Sequence, residues 1–149
     1  MDIPEYISKE EVSRVCESLN IRDWSKLSEP DVELREAEII RKLVGGESLD
    51  VPIEEFKRGL EIELEHGTAF SDANVTNNHP LLTGKIVLAH LKETLDYYTR
   101  LEVAELEGDL LKAISAGDQA KLAAKYQKLV EARFLLSKKE KEQVNSVNN

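Results

Sequence analysis

The chain has 149 residues, with 29 Asp and Glu against 20 Lys and Arg and only 11 Gly and Pro together. A single Cys16 excludes an internal disulfide scaffold, and no apolar run approaches the roughly 20 residues of a membrane span. The opening Met1-Asp2-Ile3-Pro4-Glu5 carries no signal-peptide pattern, so a reducing, cytoplasmic setting is the expectation. Residues 120–149 hold seven basic and three acidic side chains, a balance of +4, which leaves −13 on residues 1–119. An acidic body repels phosphate backbones, which argues against nucleic-acid binding; the sign asymmetry and an amphipathic last helix point instead to a protein partner or self-association. Scarce Gly and Pro imply few turns and long helices.

Five helical segments follow in order. Ser8-Lys9-Glu10-Glu11 is a capping box, and Val12, Val15 and Leu19 then recur at helical spacing. Cys16 is expected to pack on that helix, and Trp24 and Leu27 in the connector to plug one end of the core. The second segment, after Pro30, carries Leu34, Ala37, Ile40, Leu43 and Val44 and stops at Gly45-Gly46. The third starts near Asp50 as N-cap with Pro52 in its first turn, runs through Phe56, Leu60 and Leu64, and ends at Gly67.

A polar loop over 71–80 holds His79, read as solvated. Thr83 is expected to cap a fourth segment continuous to about Ile114. Ala116-Gly117-Asp118 is the clearest turn, and Asp118 can cap a last helix with Leu122, Tyr126, Leu129 and Leu136 on one stripe. That helix pairs with the second half of segment four as an antiparallel hairpin. The expected fold is all-α, one domain over 1–141 with a frayed 142–149 tail.

Helix faces single out a candidate site. At about 100° per residue with Phe56 at zero, Glu63 falls at about 340° and His66 at about 280°, on the inward edge, while Glu61 and Glu65 point to solvent. With Ile86 at zero, His90 falls at about 40°, Glu93 at about 340° and Tyr97 at about 20°. Two consecutive helices thus each carry a Glu and a His three apart on the side expected to pack. Burying a carboxylate is costly unless it is paired or bound to a metal. Glu63, His66, His90 and Glu93 therefore form a candidate metal set suited to Fe, Mn or Zn. The same four residues also make a purely structural network, with Tyr97 hydrogen-bonding either pair. No nucleophile–base grouping suggests an enzyme.

The stretch from Phe56 to Leu101 resembles an uncharacterised small helical domain of bacterial, archaeal and phage proteins, a domain of unknown function. The residues that carry the resemblance are Gly59-Leu60, Glu63-Leu64-Glu65-His66, Ile86-Val87-Leu88-Ala89-His90-Leu91-Lys92-Glu93 and Asp96-Tyr97-Tyr98-Thr99-Arg100-Leu101. The resemblance centres a motif core on 53–104 and groups Glu63, His66, His90, Glu93 and Tyr97, with Glu65 and Tyr98 in support. Where that family often has Pro, this chain has Leu95, which permits an unbroken helix, with Thr94 still able to act as a cap.

Overall fold

The structure is a computed structural model and describes residues 6–147. Those residues form six α-helices and three short 3₁₀ turns, with no strand among them. The all-α expectation holds. Two compact units divide the chain, one up to Leu95 and one from Asp96. The division falls inside the 53–104 motif core.

The first unit holds α1 (Lys9–Leu19), α2 (Leu34–Val44), α3 (Ile53–Ala69) and α4 (Pro80–Glu93). Ser8 caps α1 by accepting the Glu11 amide at 3.2 Å. The return half of the expected box is not made, because the Glu11 carboxylate takes Arg14 at 2.6 and 2.7 Å. Val12, Val15 and Cys16 are buried beside Trp24, whose amide donates to Cys16 Sγ at 3.4 Å. Burial pushes the thiol upward in pKa, which suits a packed rather than reactive cysteine. Helix α2 buries Ala37, Ile40 and Val44 and stops at Gly45, where φ is +65°. Leu34 and Leu43, expected on the same stripe, stay exposed.

Helix α3 begins at Ile53, after Pro52 rather than Asp50, and buries Phe56, Gly59, Leu60 and Leu64. It also runs past Gly67. That glycine is a packing position: a Cβ there would stand 2.0 Å from Asn78 Oδ1 and 2.8 Å from Asn74 Nδ2. The 71–80 loop is an ordered asparagine knot against this bare stretch of helix. Asn74 Nδ2 donates to Gly67 O at 3.2 Å and to Asn78 Oδ1 at 2.9 Å, and Asn77 Nδ2 reaches Ile7 O at 2.6 Å. Asn77 and Asn78 both adopt positive φ, which Asn tolerates better than most residues.

His79 is buried, not solvated, and it caps α4 in place of Thr83. Its Nδ1 accepts the amides of Leu81 and Leu82 at 3.2 and 3.4 Å. Pro80 takes the first helical position, where a missing amide costs nothing. Thr83 lies one turn inside, its hydroxyl on His79 O at 3.0 Å. Gly84 sits where α2 comes close, since a Cβ would meet Ile40 Cγ2 at 2.6 Å and Val44 Cγ2 at 2.8 Å. That approach turns Thr83, Gly84, Val87, Leu88 and Leu91 inward. Ile86, the zero of the expected face, is at the exposed edge.

Segment four is not continuous. Thr94 is extended (φ −162°, ψ 140°) and closes α4, and Asp96 precedes α5 (Tyr97–Ala116). The break forms with Leu95 in place and Thr94 as the closing residue, so the unbroken helix is not found.

The second unit is the antiparallel pair of α5 and α6 (Gln119–Val147). Gly117 turns at φ +68°, and Asp118 Oδ1 accepts the Lys121 amide at 2.9 Å, as the sequence suggested. Leu106, Leu129 and Ala132 form its core, with Val103 and Leu110 packed on them. Cross-helix contacts fix the register: Lys125–Asp109 at 2.5 Å, Arg133–Glu107 at 2.7 Å and Lys139 Nζ–Thr99 Oγ1 at 2.8 Å. Tyr126, expected in the buried stripe, is exposed. Helix α6 extends beyond Lys141 to Val147, and Asn148 and Asn149 lie outside the described residues.

Candidate functional site

Glu63 projects from α3 with its side chain only 10% exposed, as its helix angle implied. His90 Nε2 of α4 stands 3.4 Å from Glu63 Oε1, and His66 Nδ1 stands 3.8 Å from Glu63 Oε2. On its other edge His90 Nδ1 is 3.9 Å from Glu93 Oε1. The four residues thus form a chain, His66–Glu63–His90–Glu93, stitching α3 to α4.

The ends of that chain face outward. The side chains of His66 and Glu93 are 69% and 67% exposed, so only Glu63 and the half-buried His90 occupy the inward position expected of all four. On α4 the close approach of α2 at Gly84 goes with Val87 and Leu91 in the buried centre, which leaves His90 on the flank and Glu93 outside. Among the described residues, no group of three or more His, Cys, Asp or Glu is arranged to hold a metal ion. Glu65 is exposed. Tyr97 and Tyr98 belong to α5 and the second unit, with their rings 5.2 Å apart and nearly perpendicular. Tyr98 is fully buried.

Among the described residues the two most buried carboxylates are Glu36 and Asp96, the latter at about 280° from Ile86 and so on or towards the outside if segment four were continuous. Glu36 is 2% exposed and receives Arg22 Nη2 at 2.7 Å, Arg22 Nε at 3.1 Å and the amides of Arg22 and Glu33, each at 3.0 Å. Asp96 is equally enclosed and is held by Arg100 through two contacts of 2.9 Å. Signals for both existed. Glu36 stands four residues before the core residue Ile40, and Asp96 stands four before Arg100, the spacing at which helical side chains meet.

A second surface comes from the hairpin. With the buried Leu106 and Leu129 as inward zeros, Leu111, Ile114, Tyr126, Val130 and Phe134 all fall between about 60° and about 140° in the same rotational sense. In an antiparallel pair, equal rotational senses fall on the same side of the hairpin. Glu107 (about 100°) and Arg133 (about 40°) share that side, and their ion pair fits the geometry. All five apolar side chains are exposed, Phe134 by 75%. The opposite side carries the Lys125–Asp109 pair.

A family model described as "Protein of unknown function (DUF5661)" matches residues 12–107. That is well over half of the chain, and the chain belongs to this family. No curated protein matches it, and no solved structure does.

Proposed function

We propose that this DUF5661 protein works without catalysis, as a small acidic helical interaction module that docks through the α5–α6 hairpin. One observation carries the reading: Leu111, Ile114, Tyr126, Val130 and Phe134 are exposed together on one side of a two-helix unit. Contiguous apolar patches on a soluble surface mark sites where another surface packs. A helix pair whose own core is Leu106, Leu129 and Ala132 also has more apolar surface than it can cover itself. The test is a photo-crosslinking residue in the producing cell, Phe134→p-benzoylphenylalanine. Discrete higher-mass adducts are expected, and none from the same residue at exposed Lys121. A featureless pattern at both positions defeats the reading.

A second reading rests on a different observation, the poorly exposed Glu63 between two imidazoles. Neutral imidazole with carboxylate is a donor set for Zn, Fe or Mn. This reading requires the exposed His66 and Glu93 to turn towards the Glu63–His90 pair and complete three or four ligands. Elemental analysis of protein purified without chelator, with melting followed with and without EDTA, tests this. Bound metal near one equivalent, and a melting temperature lowered by EDTA, are the expected results. Protein that is metal-free and indifferent to both metal and chelator leaves the four residues a structural stitch.

A further inference from the structure

We infer that a polar cleft in the first unit, between the start of α1, the connector after it and the 67–78 stretch, binds a small uncharged polyol or sugar. The asparagine knot that closes over Gly67 also walls this cleft, which has a volume of about 220 Å³. That lies below the roughly 300–1,000 Å³ of pockets for drug-sized ligands, so the occupant is small. Lys9, Ser25, Thr68, Ser71, Asn74 and Asn78 give the cleft a mostly polar lining. Among the described residues no Asp, Glu or aromatic side chain contributes to that lining.

The chemistry of the occupant follows from the protons that the lining has already committed. Ser25 Oγ donates to Asp23 Oδ1 at 2.7 Å, and Ser13 Oγ takes the other carboxylate oxygen at 2.8 Å. Thr68 Oγ1 donates to Leu64 O and Glu65 O, each at 3.2 Å. Asn74 Nδ2 gives its two protons to Gly67 O and Asn78 Oδ1, and Asn78 Nδ2 is turned to Trp24 O at 3.5 Å. Ser25, Thr68 and Asn78 therefore keep acceptor lone pairs, in directions fixed by those bonds. Lys9 and Ser71, both exposed, supply donors at the rim. An anion would meet the lone pairs inside a body that carries −13 over residues 1–119. A cation would meet the Lys9 ammonium. A neutral molecule with several hydroxyls donates to the lone pairs and accepts from Lys9 and Ser71, with no charge of its own to desolvate. Acceptors already locked in place also lower the ordering cost of binding.

Proton–nitrogen correlation spectra of the full chain test the inference, with D-ribose, D-glucose and myo-inositol as probes and inorganic phosphate and ammonium as charged controls. At least one polyol, added to about 100 mM, is expected to shift the amides of 67–78 saturably, with a millimolar dissociation constant. Thr68→Val swaps an acceptor oxygen for a methyl group, and Ser71→Ala removes a rim donor. Each should weaken binding by roughly 3- to 10-fold, the loss of one hydrogen bond. The same spectra report folding, and because Ser71 is exposed, Ser71→Ala decides alone if Thr68→Val does not fold. No saturable shift with any of the three polyols overturns the inference and leaves the cleft to water. So does phosphate or ammonium binding at these amides more tightly than every polyol. Polyol binding that both variants leave unchanged also overturns it.

Discussion

Arg22 grips Glu36 side-on, with Nε on Oε1 at 3.1 Å and Nη2 on Oε2 at 2.7 Å, and backbone amides take the remaining lone pairs. This pair joins the connector after α1 to the first turn of α2. Glu36 is almost wholly enclosed, so removing either partner leaves the other poorly satisfied. Arg22→Ala or Glu36→Ala is expected to cost about 3–5 kcal/mol, the range for breaking a buried ion pair. Urea denaturation of each single variant measures it. The double variant Arg22→Met with Glu36→Leu should recover a good part of the loss, because it strands no charge.

Acid should attack the same place. Burial pulls the Glu36 carboxyl upward in pKa, but Arg22 and the two amides outweigh it and the net shift is downward. Asp23 behaves likewise: burial raises it, while Lys26, Ser25 and Ser13 hold it down to about 2. A carboxyl depressed in the folded state stabilises above its unfolded pKa of about 4 and loses that contribution as pH falls through its folded value. The urea midpoint should therefore fall steeply from about pH 4.5 towards pH 2. Glu36→Gln should flatten part of that slope, and Asp23→Asn another part.

His79 provides a separate titration at higher pH. Its Nδ1 must stay unprotonated to accept the Leu81 and Leu82 amides, and burial lowers its pKa below 6.5. Glu11 opposes that shift and Arg14 adds to it. Because the unfolded chain takes the proton first, the contribution is complete above about pH 6.5 and shrinks as pH falls through the folded pKa. His79→Ala should cost about 1 kcal/mol at pH 7.5, the usual loss for an N-cap. His79→Asn keeps a cap acceptor and should remove the pH dependence between 7 and 5, which denaturation at the two pH values reads directly.

Much of the fold was legible because it is periodic. The helical class, the Ser8 and Asp118 caps, the Gly45 and Gly117 stops and the C-terminal hairpin all rest on local rules, and local rules survive folding. The failures share another cause. Gly67 reads as a stop from its own neighbours, yet Asn74 and Asn78 decide its role from the following loop. Ile86 reads as the centre of a face, yet the close approach of α2 at Gly84 rotates that face away. His79 reads as solvated because its loop is polar, although the loop satisfies its polar groups internally. For the site, the facing of Glu63 was visible in sequence, and the outward turn of Glu93 was not. Glu36 was missed because its partner Arg22 lies 14 residues away, and Asp96 because its face was reckoned through a helix that breaks at Thr94. Sequence periodicity sees only a residue's own helix.

The glycines make that dependence measurable. Gly67→Ala and Gly84→Ala place a Cβ 2.0 Å from Asn78 Oδ1 and 2.6 Å from Ile40 Cγ2, so overpacking should outweigh the gain in helix propensity. Each is expected to lose about 1–3 kcal/mol. Gly108, inside α5, would meet nothing within 4 Å. Gly108→Ala should gain about 0.5–1 kcal/mol from the unfolded chain's lost freedom. Opposite signs for the same substitution in three helices check the packing at each position, with thermal unfolding as the readout.

The last expectation concerns Glu63 and His90, whose Oε1 and Nε2 atoms stand 3.4 Å apart. From sequence alone, losing Glu63 should cost as much as breaking a buried ion pair, about 3–5 kcal/mol. The structure moves that magnitude to Glu36. Glu63 has an exposed His66 on one side and a half-buried His90 on the other, so screening by water reduces both contacts. Glu63→Ala and His90→Ala are each expected to cost about 1–2 kcal/mol in the absence of metal. Their coupling in a double-mutant cycle should stay below about 1 kcal/mol. If saturating zinc raises that coupling several-fold, the pair shares a bound ion. A coupling indifferent to zinc and chelator identifies a stitch between α3 and α4 and nothing more.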